Sequence, residues 1–157
     1  MSEASTFQHL LARFPAFRDV GNERLEWIAK RSKPFVCPIG TDLLLANRMP
    51  DYCFCVVEGK GRLLHEDPGL RRPITLAISK PGDLVGWSGL VRRCSCEWVT
   101  ASTNLKLIGF SADTFYELEE KSESFCRWLD SNDSPAELIH CLSPALRRRP
   151  QAEPMER

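Results

Sequence analysis

Two Cys-x-Cys pairs, at 53–55 and 94–96, have the spacing in this sequence that most directly suggests chemistry. Because alternate residues of a β-strand share a face, each pair could present two thiolates together, and four thiolates suit a structural zinc ion. Structural zinc sites more often use a Cys-x-x-Cys spacing, however, and cysteine is also a common small buried residue. The sequence therefore predicts cysteines that pack in the core, with no metal site.

The three histidines, His9, His65 and His140, are scattered along the chain. A metal-binding cupin barrel needs a closely spaced His-x-His with a glutamate, and the sequence has no such pair. A Cys–His nucleophile would need a supporting motif near His65 or His140, and neither has one. We therefore expect that this chain is not an enzyme.

The charge balance limits the partners that we expect. The chain has 157 residues, with 21 basic and 21 acidic side chains and a formal net charge of zero. Because a protein that grips a polyanion normally has a basic excess, we expect no nucleic-acid partner. The run Arg147, Arg148 and Arg149 could touch phosphates, but arginines near a helix end also complement the helix dipole.

Targeting and membrane signals are missing from the sequence. Residues 1–6 lack the basic start and apolar run of a secretory signal, and no stretch approaches the roughly 18 apolar residues of a membrane-spanning helix. The seven cysteines are an odd number without the spacing of a disulfide scaffold. We therefore expect reduced thiols, a cytoplasmic location and no direct membrane insertion.

The hydrophobic pattern predicts a single domain over residues 1–149. Helical spacing over 7–31 gives way to short strands over 35–110, and helical spacing returns over 111–149. Residues 150–157 are polar, contain proline and are expected to form a loose tail.

In the N-terminal part, we predict that Asn22 caps a second helix and that Lys33 and Pro34 end it. In the β part, turn residues recur about every eight to twelve positions, which favours an antiparallel barrel or sandwich over a parallel nucleotide-binding sheet. The predicted strands are 35–37, 43–46, 52–57, 61–65, 74–79, 84–86, 97–102 and 105–110.

Three helices are predicted after the strands. Ser111 should cap the first, and the second should contain Phe125 and Trp128. Ser134 and Pro135 supply an N-cap and a first-turn proline for the last helix. We expect this last helix to pack on the barrel or on a second copy of the chain, through Leu138, Ile139 and Leu142.

Five segments between residues 7 and 146 resemble, in order and spacing, the cyclic nucleotide-binding domain family, which includes catabolite activator proteins. The resemblance implies an antiparallel β-roll of the jelly-roll type with helices at both ends, and a regulatory function. The segments are Val-Cys-Pro-Ile-Gly (36–40), Phe-Cys-Val-Val-Glu-Gly (54–59), Lys-Pro-Gly-Asp-Leu-Val-Gly (80–86), Val-Thr-Ala (99–101) and Ser-Ala-Asp-Thr-Phe (111–115).

The resemblance implies that residues 80–86 open a phosphate-binding cassette. In the family, a glutamate after the cassette glycine binds the ribose, and an arginine about ten residues later pairs with the cyclic phosphate. Here Trp87 stands at the glutamate position, and the arginine position falls on Ser95 or Cys96, depending on the direction of counting. Because both side chains are missing, we expect a degenerate cassette that does not bind cAMP or cGMP with physiological affinity.

Other cassette groups could still contact a cyclic nucleotide or another small anion. The N–H groups of residues 86–89 could bind an anion, and Arg92 and Arg93 could either approach a phosphate or solvate an exposed loop. Trp87 could stack on a base or fill the pocket with its own ring, and we favour filling. The candidate ligand-binding residues are Val85, Gly86, Trp87, Ser88, Gly89, Leu90, Arg92, Arg93, Ser95 and Cys96.

Residues 82–90 and 96–102 are also similar to the N-terminal modules of cyanobacterial ABC-type peptide or toxin exporters, some of which carry a C39-like peptidase. This resemblance implies a cytoplasmic module at the membrane face, in contact with other exporter domains. The sequence has no Gly-x-x-x-x-Gly-Lys-Ser/Thr phosphate loop, so ATP binding, ATPase or peptidase activity would lie in other parts of such a protein.

Two functions remain open from the sequence. The first is a regulatory, ligand-sensing module that shifts its C-terminal helices against the barrel. The second is a structural or protein-interaction β-roll that binds no small molecule. The indole of Trp87 distinguishes them, because a ring directed into the cavity favours the second function and a ring folded away leaves a pocket. We expect no DNA-reading role, since no winged helix-turn-helix follows the last predicted helix.

Overall fold

The fold is an antiparallel β-roll with helices on both sides of it in the sequence. A computed structural model describes residues 2–67, 69–94 and 96–135. Several predicted features lie outside these residues, namely Ser95, His140, the apolar face of the last helix (Leu138, Ile139 and Leu142), the arginine run at 147–149 and the tail at 150–157.

Two helices precede the strands. Helix α1 spans Glu3–Leu11, and its N-cap Ser2 accepts a hydrogen bond from the N–H of Ser5. A 3₁₀ turn at Pro15–Phe17 leads to helix α2, Asn22–Lys30. The prediction that Asn22 caps α2 is wrong, because Gly21, with a φ of 88°, holds the N-cap position and no side chain caps the helix.

The end of α2 also differs from the prediction. The helix ends at Lys30, and Lys33 and Pro34 belong to strand β1. Strand β1 lies at the edge of its sheet and pairs only with β8 among the described strands. An edge strand tolerates proline, because no neighbour on its open side needs the missing N–H.

All eight predicted strands are present within the described residues. They form two antiparallel four-stranded sheets, with the strand orders β1-β8-β3-β6 and β2-β7-β4-β5. The predicted β-roll architecture is therefore confirmed. The strands are β1 Ser32–Cys37, β2 Asp42–Leu44, β3 Tyr52–Glu58, β4 Gly61–His65, β5 Ile74–Ser79, β6 Leu84–Val85, β7 Trp98–Ala101 and β8 Leu105–Ser111.

Helix α3, Trp87–Arg92, interrupts the strands between β6 and β7. After β8, helix α4 spans Ala112–Lys121 and helix α5 spans Glu123–Ser131. The predicted cap is confirmed, because the Ser111 hydroxyl accepts a hydrogen bond from the N–H of Thr114. None of the helices in the described ranges is long and apolar enough to cross a bilayer.

The first sheet separates two apolar clusters. Along β3, Cys53 and Cys55 face the cluster formed with the helices, whereas Phe54 and Val56 face the cluster formed with the second sheet. This alternation follows from the two-residue period of a strand, and both faces are apolar because both are covered. The sheet therefore fixes the helices and the second sheet relative to each other.

The cysteines of β3 are core residues. Cys53 and Cys55 have no exposed surface, and burial raises the pKa of both thiols. The prediction that these two cysteines pack in the core is confirmed. Within the described ranges, no three His, Cys, Asp or Glu side chains lie close enough together to hold a metal ion.

Gly109 of β8 leaves room for two aromatic rings. A Cβ at this position would lie 2.7 Å from Cε2 of Phe35 and 3.2 Å from Cδ1 of Phe54, and those rings meet edge to face with centroids 5.2 Å apart. We expect Gly109→Ala to lower the free energy of unfolding by about 1–3 kcal/mol, because overpacking forces rings off their preferred rotamers. Urea unfolding measures the loss.

Gly69→Ala is the matched control, because its new Cβ would meet only Asp67 Oδ1, at 3.5 Å. This variant should change the free energy of unfolding by less than about 0.5 kcal/mol. Equal losses for the two variants would contradict the packing account of Gly109.

Candidate functional site

The predicted cassette is the turn from β6 into α3. Gly86 is the N-cap of α3 and has a φ of 96°, in the left-handed region that side chains rarely adopt. A Cβ on Gly86 would also lie 3.0 Å from the carbonyl oxygen of Tyr52. Glycine is therefore required at this turn, which directs the first N–H groups of α3 to one point.

A carboxylate of the chain itself occupies that point. Glu97, just before β7, is only 7% exposed. Its Oε2 accepts a hydrogen bond from the N–H of Gly86 at 3.1 Å, and its Oε1 accepts one from the hydroxyl of Ser88. The N–H groups of Ser88 and Gly89 also hydrogen-bond to this carboxyl group. The N–H groups that the sequence analysis left available to an external anion thus bind the side chain of Glu97.

The pKa of Glu97 reflects this environment. Burial raises it above the ordinary glutamate value, while the hydrogen bonds from the Ser88 hydroxyl and from the N–H groups of Gly86, Gly89 and Ser88 oppose that rise. Desolvation is the larger effect, so the folded protein holds the Glu97 proton more tightly than the unfolded chain does.

Sequence reasoning missed Glu97. It begins a predicted strand, where a charged side chain is ordinarily placed on the solvent side. One feature of the sequence could have identified it. Glu97 directly follows Cys96, and Cys96 is one of the two positions that align with the arginine of the family. An acidic residue beside the position of a missing phosphate-binding cation is consistent with an internal replacement for the phosphate.

Trp87 lies in the wall of the pocket. It is 9% exposed, and its ring meets Trp128 of α5 edge to face, with centroids 5.7 Å apart. A cavity of about 280 Å³ remains beside the two indoles. Both indoles line this cavity, and the expectation that the Trp87 ring fills the pocket stays a prediction.

Among the described residues, no basic side chain lines the cavity. Carboxylates come from Asp83, Glu97 and Asp133, and apolar surface comes from both sheets and the two indoles. The further lining residues include Leu63, Ala77, Ile78, Val85, Val99, Asn132 and Ser134. Such a lining suits an uncharged or cationic ring better than a phosphate.

The two arginines at the end of α3 do not line the cassette cavity. The guanidinium of Arg93 lies 4.1 Å from the centroid of the Tyr116 ring, and the Tyr116 hydroxyl donates to the carbonyl of Leu90 at 2.9 Å. Arg92 lines an adjoining cavity of about 550 Å³, which shares Trp87 and Ser134 among its lining residues with the cassette cavity. Neither arginine lines the cassette cavity.

The remaining predicted site residues divide into two groups. Ser88 and Cys96 adjoin the carboxylate, with Ser88 Oγ 3.7 Å from Cys96 Sγ. Val85 and Leu90 are buried in the two apolar clusters and support the turn, and Gly89 is packed closely against Pro50. Most of the predicted site residues therefore lie close together, but the hydrogen-bond donors among them bind Glu97.

The sequence matches the cyclic nucleotide-binding domain family over residues 36–122, which is more than half of the chain. The chain belongs to this family. No curated protein matches the sequence of this family member.

Several solved structures share the fold. The regulatory domain of Toxoplasma gondii PKA with cAMP has a TM-score of 0.74 and 18% identity, and the match covers 82% of this chain and 48% of that one. The regulatory subunit of a cAMP-independent protein kinase A from Trypanosoma cruzi, bound to guanosine, has a TM-score of 0.77 and 14% identity, with coverages of 91% and 50%.

A shorter protein shares the fold over nearly its whole length. A putative cyclic nucleotide-binding protein from Geobacter metallireducens has a TM-score of 0.64 and 19% identity, and the match covers 88% of this chain and 98% of that one. By contrast, this chain spans only about half of the two kinase regulatory chains. At these identities the likeness establishes the fold alone, and the role and the ligand must be argued from the site.

The raised pKa of Glu97 predicts a pH-dependent stability. Between about pH 4.3, the value of an unfolded glutamate, and the higher folded value, the folded state holds more of this proton. Stability from this group is thus full at low pH and falls as pH rises, by about 1.4 kcal/mol for each unit of the raised pKa.

Glu97→Gln should remove this dependence, because an amide does not titrate. Urea unfolding of both proteins between about pH 4 and pH 8 measures it. The stability of the unchanged protein minus that of Glu97→Gln should decrease with pH. A difference that stays constant, or rises, would show that the pKa of Glu97 is not raised on folding.

Proposed function

We propose that this chain is a regulatory module with a degenerate cassette, which does not respond to cAMP or cGMP. The observation that carries the proposal is the Glu97 carboxylate, which holds the N–H of Gly86 and the hydroxyl of Ser88. The N–H group of Gly86 is among those that the sequence left available to an external anion. A module of this kind acts through its conformation and contacts, without catalysis.

A cyclic phosphate would meet two obstacles in this cassette. It would have to displace Glu97, which would then lose its donors in a buried position, or lie beside a second negative charge. It would also lack a paired cation, since the described cavity lining contains no basic side chain. Hydrogen bonds to charged groups contribute about 1.5–3 kcal/mol each, so the loss of the family arginine and glutamate should weaken binding by about two to four decades.

Isothermal titration with cAMP and with cGMP tests the degenerate cassette. We expect dissociation constants in the millimolar range or weaker for both nucleotides. Arg93→Ala should leave the result unchanged, because Arg93 lies over Tyr116. A dissociation constant near or below about ten micromolar, abolished by Arg93→Ala, would show instead that the pocket has been rebuilt around that arginine.

The lining of the cavity favours an uncharged ligand, which is a second candidate for the molecule that regulates the module. Its volume of about 280 Å³, with Trp87 and Trp128 in one wall, suits a flat ring more than an anion. The T. cruzi subunit, a protein of the same fold, is bound to guanosine, a nucleoside without a phosphate. Guanosine and adenosine therefore belong in the same titration. If neither binds, the alternative of a purely structural or protein-interaction β-roll is favoured.

The exporter context is a further part of the proposal and rests on residues 82–90 and 96–102. We place the module at the cytoplasmic face of a membrane, where other exporter domains or a second copy would be its partners. Sequencing of the surrounding coding region tests this. Membrane-spanning segments and a Gly-x-x-x-x-Gly-Lys-Ser/Thr motif in the same or adjacent reading frame would support the context, and their absence would remove it.

A further inference from the structure

We propose that Glu97 acts as an internal ligand and that Ser88 transmits its position to Ser134, at the start of the C-terminal segment. The inference rests on the proposed degenerate cassette and assigns the regulation of that same site. The segment after α5 is then held in one place by a side chain of the module, with no nucleotide bound.

The first step is a continuous chain of hydroxyl donors. The Ser134 hydroxyl donates to Ser88 Oγ at 3.2 Å, and the Ser88 hydroxyl donates to Glu97 Oε1. Donors aligned in one direction toward a carboxylate polarise each other, so each bond strengthens the next. The position of the carboxylate is therefore linked to Ser134 without direct contact between Glu97 and Ser134.

The second step is the burial of Ser134. Of the described residues after α5, Asn132, Asp133 and Pro135 are exposed, whereas Ser134 is only 8% exposed. A buried hydroxyl without its acceptor costs about 1–3 kcal/mol, so Ser134 depends on partners such as Ser88 to remain inside. Among residues 132–135, the chain thus buries the side chain that hydrogen-bonds to Ser88 of the cassette.

The third step is a parallel apolar contact between the same elements. Trp87, the first residue of α3, packs on Trp128 of α5. This contact holds α5 near the cassette but has no charge to respond to. The polar route through Ser88 is the one that depends on the carboxylate, and it ends where the C-terminal segment begins.

A double-mutant cycle between Glu97→Gln and Ser134→Ala measures the link. We expect the two changes in the unfolding equilibrium constant to be non-additive by about two- to tenfold, although the residues are not direct partners. The same cycle is then repeated in the Ser88→Ala background. The coupling should vanish there, because the intermediate hydroxyl is gone. Coupling that persists without Ser88, or is absent with it, overturns the proposal.

Ser131→Ala is the matched control for Ser134→Ala. The Ser131 hydroxyl donates to the carbonyl of Trp128 at 3.0 Å on the exposed end of α5 and does not touch Ser88. This serine truncation should be additive with Glu97→Gln in both backgrounds. Non-additivity with Ser131→Ala would show a general effect on α5 and would count against the serine route.

Amide hydrogen exchange of residues 132–134 gives a second readout and covers the case in which Glu97→Gln does not fold cooperatively. Ser88→Ala alone should raise the exchange rate there by about two- to tenfold, while Ser131→Ala should not. An unchanged rate in Ser88→Ala overturns the link. Nucleotide titration of the unchanged protein tests the degenerate cassette separately, so a failure of the serine route can be distinguished from a failure of the proposed function.

Discussion

The placement of one carboxylate on the first N–H groups of α3 determines how the rest of the site is organised. Glu97 satisfies the N–H of Gly86 and the hydroxyl of Ser88, and it is buried because β7 follows it directly into the second sheet. A buried carboxyl group is tolerated only when its oxygens are well supplied with donors. The N–H of Gly86 and the hydroxyl of Ser88 are two of these donors.

The two-sided first sheet explains why this arrangement is rigid. Its inner face meets the second sheet through residues such as Val56 and Leu107, and its outer face meets the helices through Phe110 and others. Phe17 and Phe125 stack with centroids 5.9 Å apart, which ties the N-terminal turn to α5. A structural change in the cassette would therefore alter the packing of elements from both ends of the described chain.

The strands and helices could be predicted because their signals are local. Turn glycines, prolines and the two-residue alternation located all eight strands, and the Ser111 cap follows from its side chain alone. The site was only partly predictable. The resemblance placed Trp87 at the family's glutamate position and either Ser95 or Cys96 at its arginine position. The burial of Glu97, by contrast, depends on contacts between β6, α3 and β7. Likewise, Trp87 lies in the wall because Trp128, distant in sequence, packs on it.

In the proposed degenerate cassette, Glu97 would also constrain the order in which mutations could build a nucleotide site. An arginine substituted for Cys96 would arrive beside a carboxylate already in place, and an ion pair within the protein would form before any ligand was bound. The new cation would then be neutralised and unavailable to a phosphate. Replacement of Glu97 alone would leave the Gly86 N–H and the Ser88 hydroxyl without this acceptor. Each single step would thus be unproductive or destabilising, so a nucleotide site would need the gain of the cation and the replacement of Glu97 together.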